Sequence, residues 1–471
     1  MAAAKLTRAA CELTRHGGGQ LPGVVATSIC PDVLAGLEKP EHLVFVTGTN
    51  GKTTTTNLIA DLLKDAGEDP LINRAGGNVT DGITSTLIAG STLTGRPRHR
   101  FAVLELDERC AYQVFERIVP DLLVVTNLYR DTFTRNAHVE FVFDILSPSV
   151  PASTHLVLNA DDLISGRLAP QCAGRTYYAM CDLPSDTPDQ QGIVSDLTAC
   201  PVCGGHLTYE RCHLGHIGRV HCDACGLANP PADFQAVAVD EAAREIAVRD
   251  QRGDGSADDA VDDGPASPAG AVARYRYKAG SVTDLYNLLA ATTAARLLGL
   301  PADRVERSLA GGVGVVASRY SEVDVAGKRL VCIASKGENG MACSRGFANI
   351  RREPGTKAVV LMLEDYYLAR DPQSTEFGGW FYETDFEYLA DPSIKQVVIT
   401  GVRSEDIVLR LLLAGIDPSI MVEAPDGMAA ADVVAWRDVD AVFYSHAIHN
   451  EQVAHESRDH LAALIKGEAG A

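Results

Sequence analysis

The stretch that most constrains the fold is a short apolar run followed by a glycine-rich turn and a helical pattern. Residues 43–47 read LVFVT, residues 48–56 read GTNGKTTTT, and apolar residues then recur at helical spacing through residue 65. A strand that runs through a glycine-rich turn into a helix is the setting of a P-loop, whose backbone N–H groups hold phosphate oxygens. Val46 stands where the strict P-loop pattern has its first glycine, so the predicted loop is a variant of that pattern.

Side chains of the turn complete the predicted phosphate site. Lys52 can neutralise charge on the β- and γ-phosphates, and the Thr53 hydroxyl can ligate Mg²⁺. We therefore predict that the nucleotide is ATP and that the whole turn contacts it, namely Gly48, Thr49, Asn50, Gly51, Lys52, Thr53 and Thr54.

Apolar runs that alternate with helical patterns predict an α/β fold with a parallel sheet. Three more runs follow the turn, at 101–106, 122–126 and 156–158. After a helical LLAATTAARLLGL, four others lie at 329–334, 358–363, 396–400 and 441–444. The predicted organisation is an N-terminal segment (1–37), a central P-loop domain (38–283) and a second, Rossmann-like α/β domain (284–471). Residues from about 250 to 272 are rich in Asp, Gly, Ser and Pro and are predicted to be a disordered acidic loop.

Composition and charge exclude several classes of protein. The chain of 471 residues has room for two or three domains, and its 46% hydrophobic and 22% charged residues are ordinary for a soluble globular protein. A net charge of -20 repels phosphate backbones, so a general nucleic-acid binder is disfavoured. The sequence has no apolar run as long as the roughly 18 residues that a bilayer crossing requires. The predicted protein is therefore cytoplasmic and not integral to a membrane.

Four of the twelve cysteines form two CxxC pairs, a pattern typical of a Cys₄ zinc ribbon. The pairs have the spacing C-x₂-C-x₁₈-C-x₂-C and comprise Cys200, Cys203, Cys222 and Cys225. Four thiolates leave no open position on Zn²⁺, so the predicted site is structural and lies in an insert at about residues 197–230. Other potential ligands lie nearby, namely His206, Cys212, His213, His216 and His221, but the paired spacing favours the four cysteines.

Several motifs, taken in chain order, carry a resemblance to a known family. They are TGTNGKTTT (47–55), NRAGGN (73–78), AVLELDE (102–108), VVTNLYRD (124–131), LNADD (158–162), the CxxC pairs, LYNLLAA (285–291) and SRYSEV (318–323). Together they resemble the MurT subunits of lipid II isoglutaminyl synthase, a divergent branch of the Mur ligase family, over roughly residues 35–390. Mur ligases activate a carboxylate as an acyl phosphate, which an amine then displaces. For MurT subunits the resemblance implies the D-glutamate carboxylate of the lipid II stem peptide, at the inner face of the membrane, and ammonia as the amine.

The resemblance also implies roles for residues beyond the turn. Glu105 is expected to ligate Mg²⁺ with Thr53, and Arg319 to contact phosphate. Since phosphoryl transfer to a carboxylate gathers negative oxygens, Lys52 and Arg319 are expected to be catalytic. The remaining expected nucleotide-site residues are Asn78, Glu108, Asn127 and Asn287, with Arg130 and Asp131 as further candidates at a strand end. Glu108 is equally compatible with an exposed surface position, and Asn127 with a structural cap.

Some positions depart from the family pattern. Asp284 replaces an asparagine that contacts adenine in relatives, and the central domain has no lysine between Lys64 and Lys278 that could be carbamoylated to hold a second Mg²⁺. The aspartate that serves amidation in MurT subunits falls in a stretch, 364–387, that carries extra residues here. Asp371 is the preferred catalytic candidate there, followed by Asp365, Glu376 and Glu383. A second metal site among His446, His449, His455 and His460 is disfavoured against solvated helix positions.

The source of ammonia must lie outside this chain. A class I glutaminase needs a cysteine on a sharp strand-to-helix elbow, and none of the twelve cysteines has that setting. The resemblance implies a separate GatD-type class I glutaminase as the partner subunit. Two alternatives stay open: a Mur-ligase-like ATP-dependent amidotransferase that acts on a different carboxylate, and a non-catalytic zinc- and nucleotide-binding regulatory protein.

Overall fold

The computed structural model describes nine segments of the chain, which form two compact units. The described residues are 1–14, 19–73, 77–130, 138–252, 270–278, 281–314, 320–335, 339–363 and 378–469. The first unit contains residues 1–129, 138–191 and 195–316, and the second contains residues 130–137, 192–194 and 317–471. The candidate site lies in the first unit.

A sheet of nine strands forms the centre of the first unit. The strands of this unit are β1 (His42–Thr47), β2 (Leu71–Ile72), β3 (Phe101–Glu105), β4 (Leu122–Val125), β5 (His155–Asn159), β6 (Arg175–Ala179), β7 (Leu207–Leu214), β8 (Ile217–Cys222), β9 (Phe234–Asp240), β10 (Glu245–Asp250) and β11 (Val272–Arg276). The sheet order is β11-β10-β9-β6-β5-β4-β1-β3-β2. Its strands are parallel from β2 to β9, and β10 and β11 extend it in antiparallel fashion.

Helices cover this sheet and bring chain segments to its central strands. They are α1 (Ala2–Leu13), α2 (Leu21–Ile29), α3 (Lys52–Asp65), α4 (Thr80–Ala89), α5 (Ala111–Phe115), α6 (Val139–Ser149), α7 (Val282–Leu297) and α8 (Ala302–Ala310). All six residues of β1 are buried, as expected of a central parallel strand. Helix α7 is buried at every residue from 285 to 297 because it packs against α3 and lies against β4, β5 and β6.

The predicted insert is a two-stranded hairpin of β7 and β8. The hairpin reverses at Gly215, whose φ of 57° lies in the left-handed region that favours glycine. Its side chains Tyr209, Cys212 and Val220 are buried in the same core cluster as the nine-stranded sheet. The hairpin is therefore part of the first unit's core rather than an appendage on its surface.

The second unit is built on a six-stranded sheet. Its strands are β12 (Tyr320–Val325), β13 (Lys328–Ser335), β14 (Lys357–Met362), β15 (Ile394–Thr400), β16 (Met421–Ala424) and β17 (Ala441–Ala447), in the order β12-β13-β17-β14-β15-β16. All neighbours are parallel except β12 and β13. Helices α9 (Gly340–Arg352), α10 (Ser404–Leu413), α11 (Ala430–Val433) and α12 (Glu451–Ala469) accompany it. The predicted α/β class with parallel sheets and a second C-terminal sheet domain is confirmed.

The structure differs from the predicted domain boundary. Residues 284–316 belong to the first unit rather than to the C-terminal domain, because α7 buries its apolar surface against α3 and the first sheet. Residues 253–269 of the predicted acidic loop lie outside the described part of the chain. Its two ends are described, and they adjoin the end of β10 and the start of β11. Within the part of the chain that the structure describes, no helix joins the length and the apolar character that a bilayer crossing needs.

Candidate active site

The predicted phosphate loop joins β1 to α3, and two of its glycines are required by close contacts. Gly48 has a φ of 124°, and a Cβ there would lie 2.2 Å from the Thr126 hydroxyl oxygen. Gly51 has a φ of 87°, and a Cβ there would lie 2.0 Å from Oδ1 of Asn287. Helix α3 begins at Lys52, so its N-terminal N–H groups and the positive end of its dipole lie at the loop. This arrangement favours a bound phosphate.

Buried polar groups hold the loop in shape. Thr49 Oγ1 accepts a hydrogen bond from the backbone N–H of Tyr129 at 3.0 Å and donates one to the Tyr129 carbonyl at 2.9 Å. The Asn127 side chain accepts from the backbone N–H of Asn50 at 3.1 Å and donates to its carbonyl at 3.0 Å. The structure places both ends of the Asn127 amide on the loop backbone, and a contact of Asn127 with the nucleotide stays a prediction. Asn127 therefore supports the loop.

One side chain of the loop has a buried donor with no partner among the described residues. Asn50 is only 9% exposed, and its amide nitrogen is enclosed yet makes no hydrogen bond to any residue that the structure describes. A buried donor without an acceptor costs free energy, and a phosphate oxygen at this loop would satisfy it. The loop therefore fits the nucleotide phosphate that the sequence predicts.

Lys52 forms a nearly buried ion pair. Its ammonium donates to Glu108 Oε1 at 2.9 Å and to the Gly48 carbonyl at 2.6 Å. Burial lowers the pKa of Lys52, but nearby carboxylates, first that of Glu108, raise it above its ordinary value overall. The lysine is therefore held as a cation at the start of α3. Glu108, predicted as a second carboxylate for the cofactor, is 4% exposed and positions this cation, and its contact with the cofactor stays a prediction.

Thr53 and Glu105 lie together beside the loop. The Thr53 hydroxyl donates to Glu105 Oε2 at 2.7 Å, and Asn78 donates to Glu105 Oε1 at 3.1 Å. Asn73 fixes the backbone of Glu105 from both sides, since its amide accepts from the Glu105 N–H and donates to the Glu105 carbonyl, both at 2.8 Å. A hydroxyl and a carboxylate are the oxygen donors that Mg²⁺ prefers, so this pair fits the predicted ion. The supporting role of Asn73 was missed, although it belongs to the NRAGGN motif.

Asn287 and Asp284 lie on α7, beside the loop. Asn287 is 3% exposed, contacts Gly51, and accepts a long hydrogen bond of 3.5 Å from the Thr55 hydroxyl. Asp284 accepts a hydrogen bond of 2.5 Å from the Ser281 hydroxyl in the first turn of α7. Thr54 lies half-buried in the first turn of α3. The structure thus places Asn287 under the loop, as a packing partner of its glycine.

Several predicted residues lie outside the described part of the chain, namely Arg319, Asp371, Asp131, Asp365 and Glu376. Their roles stay predictions. Glu383 is described in the second unit and accepts a hydrogen bond from Arg130 at 2.7 Å.

The four paired cysteines form one cluster. The Sγ atoms of Cys200 and Cys225 are 3.6 Å apart, those of Cys203 and Cys222 are 3.5 Å apart, and all four lie within 4.8 Å of one another. A tetrahedral zinc site with Zn–S bonds of about 2.3 Å requires sulfurs about 3.8 Å apart. Burial raises the pKa of Cys200, but backbone N–H groups of the turn, including that of Val202, lower it to about 6 overall. The cluster therefore fits a tetrahedral metal.

The neighbouring histidines do not join this cluster. His206 lies on the surface beside Asp223, whereas the side chains of His213 and His216 are fully buried beside Asp186 and Asp162, away from the sulfurs. Within the described segments, the four cysteines are the sole group of His, Cys, Asp and Glu side chains close enough to hold a metal, so the C-terminal histidines form no such group.

Two adjacent aspartates of the LNADD motif lie buried behind the loop. Both oxygens of Asp162 accept hydrogen bonds, from the N–H of Leu128 at 3.0 Å, the hydroxyl of Ser165 at 2.7 Å and the ring of His216 at 3.1 Å, among others. Burial raises its pKa, but the His216 ring and these bonds hold the pKa of Asp162 below its usual value overall. Burial raises the pKa of Asp161, and its donors among the described residues, the Met180 N–H and the Tyr286 hydroxyl, share one oxygen, Oδ2.

We expect Asp162→Asn to destabilise the fold by about 2 to 3 kcal/mol and Asp161→Asn by less than about 1 kcal/mol. An amide has one accepting oxygen, which suffices for the donors of Asp161 but leaves donors of Asp162 facing an NH₂ group. Because its folded pKa is depressed, Asp162 contributes stability above about pH 4 that is lost as the pH falls further. Urea unfolding at pH 7 and at about pH 3 tests this, and equal losses for both variants at pH 7 would contradict it.

Comparisons with known proteins place the chain in a family. The family model of the Mur ligase middle domain matches residues 46–182, and that of the MurT ligase C-terminal domain matches residues 337–442. The MurT subunit of lipid II isoglutaminyl synthase (glutamine-hydrolyzing) from Staphylococcus aureus strain N315 is 30% identical over 92% of each chain. The subunit of the same name from Streptococcus pneumoniae strain R6 is 28% identical, covering 86% of this chain and 84% of its own.

Solved structures share the fold at lower identity. A pseudomurein peptide ligase type C from Methanothermus fervidus has a TM-score of 0.65 at 19% identity, covering 92% of this chain and 81% of its own. The MurF ligase from Thermotoga maritima in complex with ADP has a TM-score of 0.56 at 14% identity, covering 95% and 85%. With both domain matches and a relative 30% identical over nearly its full length, the chain belongs to the MurT subunits of lipid II isoglutaminyl synthase, within the Mur ligase family.

Proposed function

We propose that the protein is the ATP-using subunit of a lipid II amidating complex. It activates the D-glutamate carboxylate of the lipid II stem peptide and forms D-isoglutamine with ammonia from a partner glutaminase. Membership in the MurT family supports the substrate, and the loop at the start of α3, with Lys52 and Thr53 in the predicted positions, supports the use of ATP. The reaction would take place in the cytoplasm, at the membrane surface where lipid II lies.

The chemistry has two steps. A carboxylate oxygen attacks the γ-phosphorus of ATP, and ADP leaves, so that an acyl phosphate forms. Ammonia then attacks the acyl carbon, the bond from that carbon to the phosphate oxygen breaks, and phosphate leaves as a proton is lost from nitrogen. Lys52 and the N-terminus of α3 stabilise the charge that gathers on the phosphate oxygens, and Glu108 keeps the lysine charged and in place.

Magnesium fits the oxygens of Thr53 and Glu105. When bound there, it would neutralise phosphate charge in the first step. Asn78 and Asn73 orient Glu105 through its side chain and its backbone. Arg319 stays the proposed phosphate-binding residue. Asp371 stays the proposed residue for amidation at the contact with the glutaminase.

Zinc is proposed to bind the four cysteines of the CxxC pairs. The four sulfurs have the spacing of a tetrahedral site, and the insert is too small to fold on a core of its own. Four thiolates leave no position for water, so the metal would be structural.

The single observation that carries the proposal is the Lys52–Glu108 pair at the phosphate loop of a chain in the MurT family. The test supplies the purified chain with ATP, Mg²⁺, lipid II and an ammonium salt. We expect ADP and an amidated muropeptide in equal amounts, measured by coupled assay and mass spectrometry. ADP release that does not depend on lipid II, with no amidated product, would contradict the proposed acceptor.

Glutamine should not replace the ammonium salt in that reaction. With glutamine as the nitrogen source, we expect the chain alone to give little product, because none of its cysteines has the setting of a glutaminase nucleophile. Addition of a class I glutaminase of the GatD type should restore glutamine-dependent amidation. Full activity with glutamine and no second polypeptide would refute the claim about the partner.

A further inference from the structure

The tip of the β7–β8 hairpin is buried directly behind the phosphate loop. Two of its side chains, His213 and His216, are 5% and 1% exposed, which is unusual for histidines at a hairpin turn. One ring nitrogen of each has no partner among the described residues. Zinc ligation does not explain these residues, since neither belongs to the cysteine cluster.

A first chain of contacts links the tip to Thr49. The His216 ring packs on the Tyr129 ring with centroids 4.5 Å apart, and the Tyr129 hydroxyl donates to the Leu214 carbonyl at 2.8 Å. A Cβ at Gly215 would lie 3.0 Å from the Tyr129 ring. The backbone of Tyr129 is in turn bonded on both sides to the Thr49 hydroxyl. The tip thus determines where Tyr129 lies, and Tyr129 determines where Thr49 lies.

A second chain of contacts links the hairpin to Gly51. The N–H of Gly218 in β8 donates to the Asp161 carbonyl at 2.8 Å, and the Asp161 side chain accepts from the Tyr286 hydroxyl at 2.8 Å. Tyr286 precedes Asn287 on α7, and Asn287 packs directly on Gly51. The two chains of contacts therefore meet the loop on either side of Asn50, whose amide donor has no partner among the described residues.

We propose that the tip of the β7–β8 hairpin positions the phosphate loop, with His216 and Tyr129 as positioning residues for ATP binding. The inference deepens the proposed function and depends on ATP binding at the loop. It gives the insert a specific role, because the hairpin beside the cysteine cluster determines the shape of the nucleotide site. Loss of the tip contacts should therefore weaken ATP binding even while the metal and the fold stay in place.

The experiment measures the Kd of ATP by calorimetry, together with zinc content and thermal unfolding. For His216→Ala we expect about a tenfold higher Kd, and for Tyr129→Phe, which keeps the ring but loses the bond to the hairpin, about a threefold higher Kd. His216→Gln should recover part of the loss, because the glutamine amide can reach Asp162 as the Nε2 of histidine does. The matched control is His206→Ala, which changes a surface histidine directly before β7 whose side chain is 77% exposed and should leave the Kd unchanged.

The outcomes separate this inference from the proposed function. A wild-type chain that binds no ATP would overturn both. A wild-type chain that binds ATP, with His216→Ala and Tyr129→Phe binding it as tightly, would overturn the positioning role alone. So would a rise in Kd for His206→Ala as large as that for His216→Ala. If His216→Ala does not fold, the Kd of ATP for Tyr129→Phe and His216→Gln tests the positioning role.

Discussion

Replacement of Lys52 by methionine is expected to lower acceptor-dependent ATP turnover at least about a hundredfold. The lysine is the described cation nearest to the start of α3, and its ammonium lies 2.9 Å from Glu108 and 2.6 Å from the Gly48 carbonyl. Methionine has a similar length but no charge, so the developing charge on the phosphate oxygens loses its partner. The same change leaves Glu108 buried without its cation, which should destabilise the fold by about 3 kcal/mol.

A second variant separates these two effects. In Lys52→Met/Glu108→Gln the buried carboxylate is neutral, so most of the stability should return while turnover stays low. Glu108→Gln alone should keep measurable turnover, because the lysine is retained. The measurements are ADP release with lipid II and ammonium, and urea unfolding of each variant. Turnover that recovers in the double variant would show that the charge of Lys52 is not used in the reaction.

The second large effect concerns the cysteine cluster. We expect one zinc per chain in protein purified without chelator, and almost none in Cys222→Ser, because one of four thiolates is lost. The thermal midpoint of Cys222→Ser should fall by at least about 5 °C, since metal binding stabilises an insert that shares the first unit's core.

Cys172→Ser is the matched control for this prediction. Cys172 is also buried in the first unit, but its sulfur contacts the Pro151 carbonyl instead of the cluster. It should keep its zinc and lose little stability. Zinc content that stays at one per chain in Cys222→Ser, or that is zero in the wild type, would contradict the proposed metal site.

The sequence predicts the central strands well and the outer strands poorly. The run at 396–400 corresponds to Ile394–Thr400, and the run at 441–444 to Ala441–Ala447, because buried parallel strands are nearly continuous apolar runs. Strands β10 and β11 read EIAVRD and VARYR, in which apolar runs of only two or three residues stand beside charged side chains and border an acidic segment. Such short apolar runs, in the last two strands at one end of the sheet, cannot be distinguished from loop sequence by hydrophobicity alone.

The sequence likewise predicts some residues of the candidate site but not the contacts that hold them. The P-loop residues follow from local spacing, but the partners of Asn127, Glu108 and Asn287 do not, because each contact joins segments more than 50 residues apart. A polar residue after a strand has the same sequence signature whether it contacts a ligand or the loop that holds the ligand. His216 lacks a sequence signal of its own, since a histidine near CxxC pairs suggests a metal ligand, whereas its burial beside Asp162 appears only in the fold.

The most direct test of the central claim follows the nitrogen atom. The purified chain is incubated with ATP, lipid II and ¹⁵N-labelled ammonium, and the muropeptide is examined by mass spectrometry for label in the α-amide of D-glutamate. The account predicts labelled D-isoglutamine in amounts equal to ADP released by the wild type, and none with Lys52→Met. Equal labelling by Lys52→Met, or ADP release without any labelled amide, would contradict it.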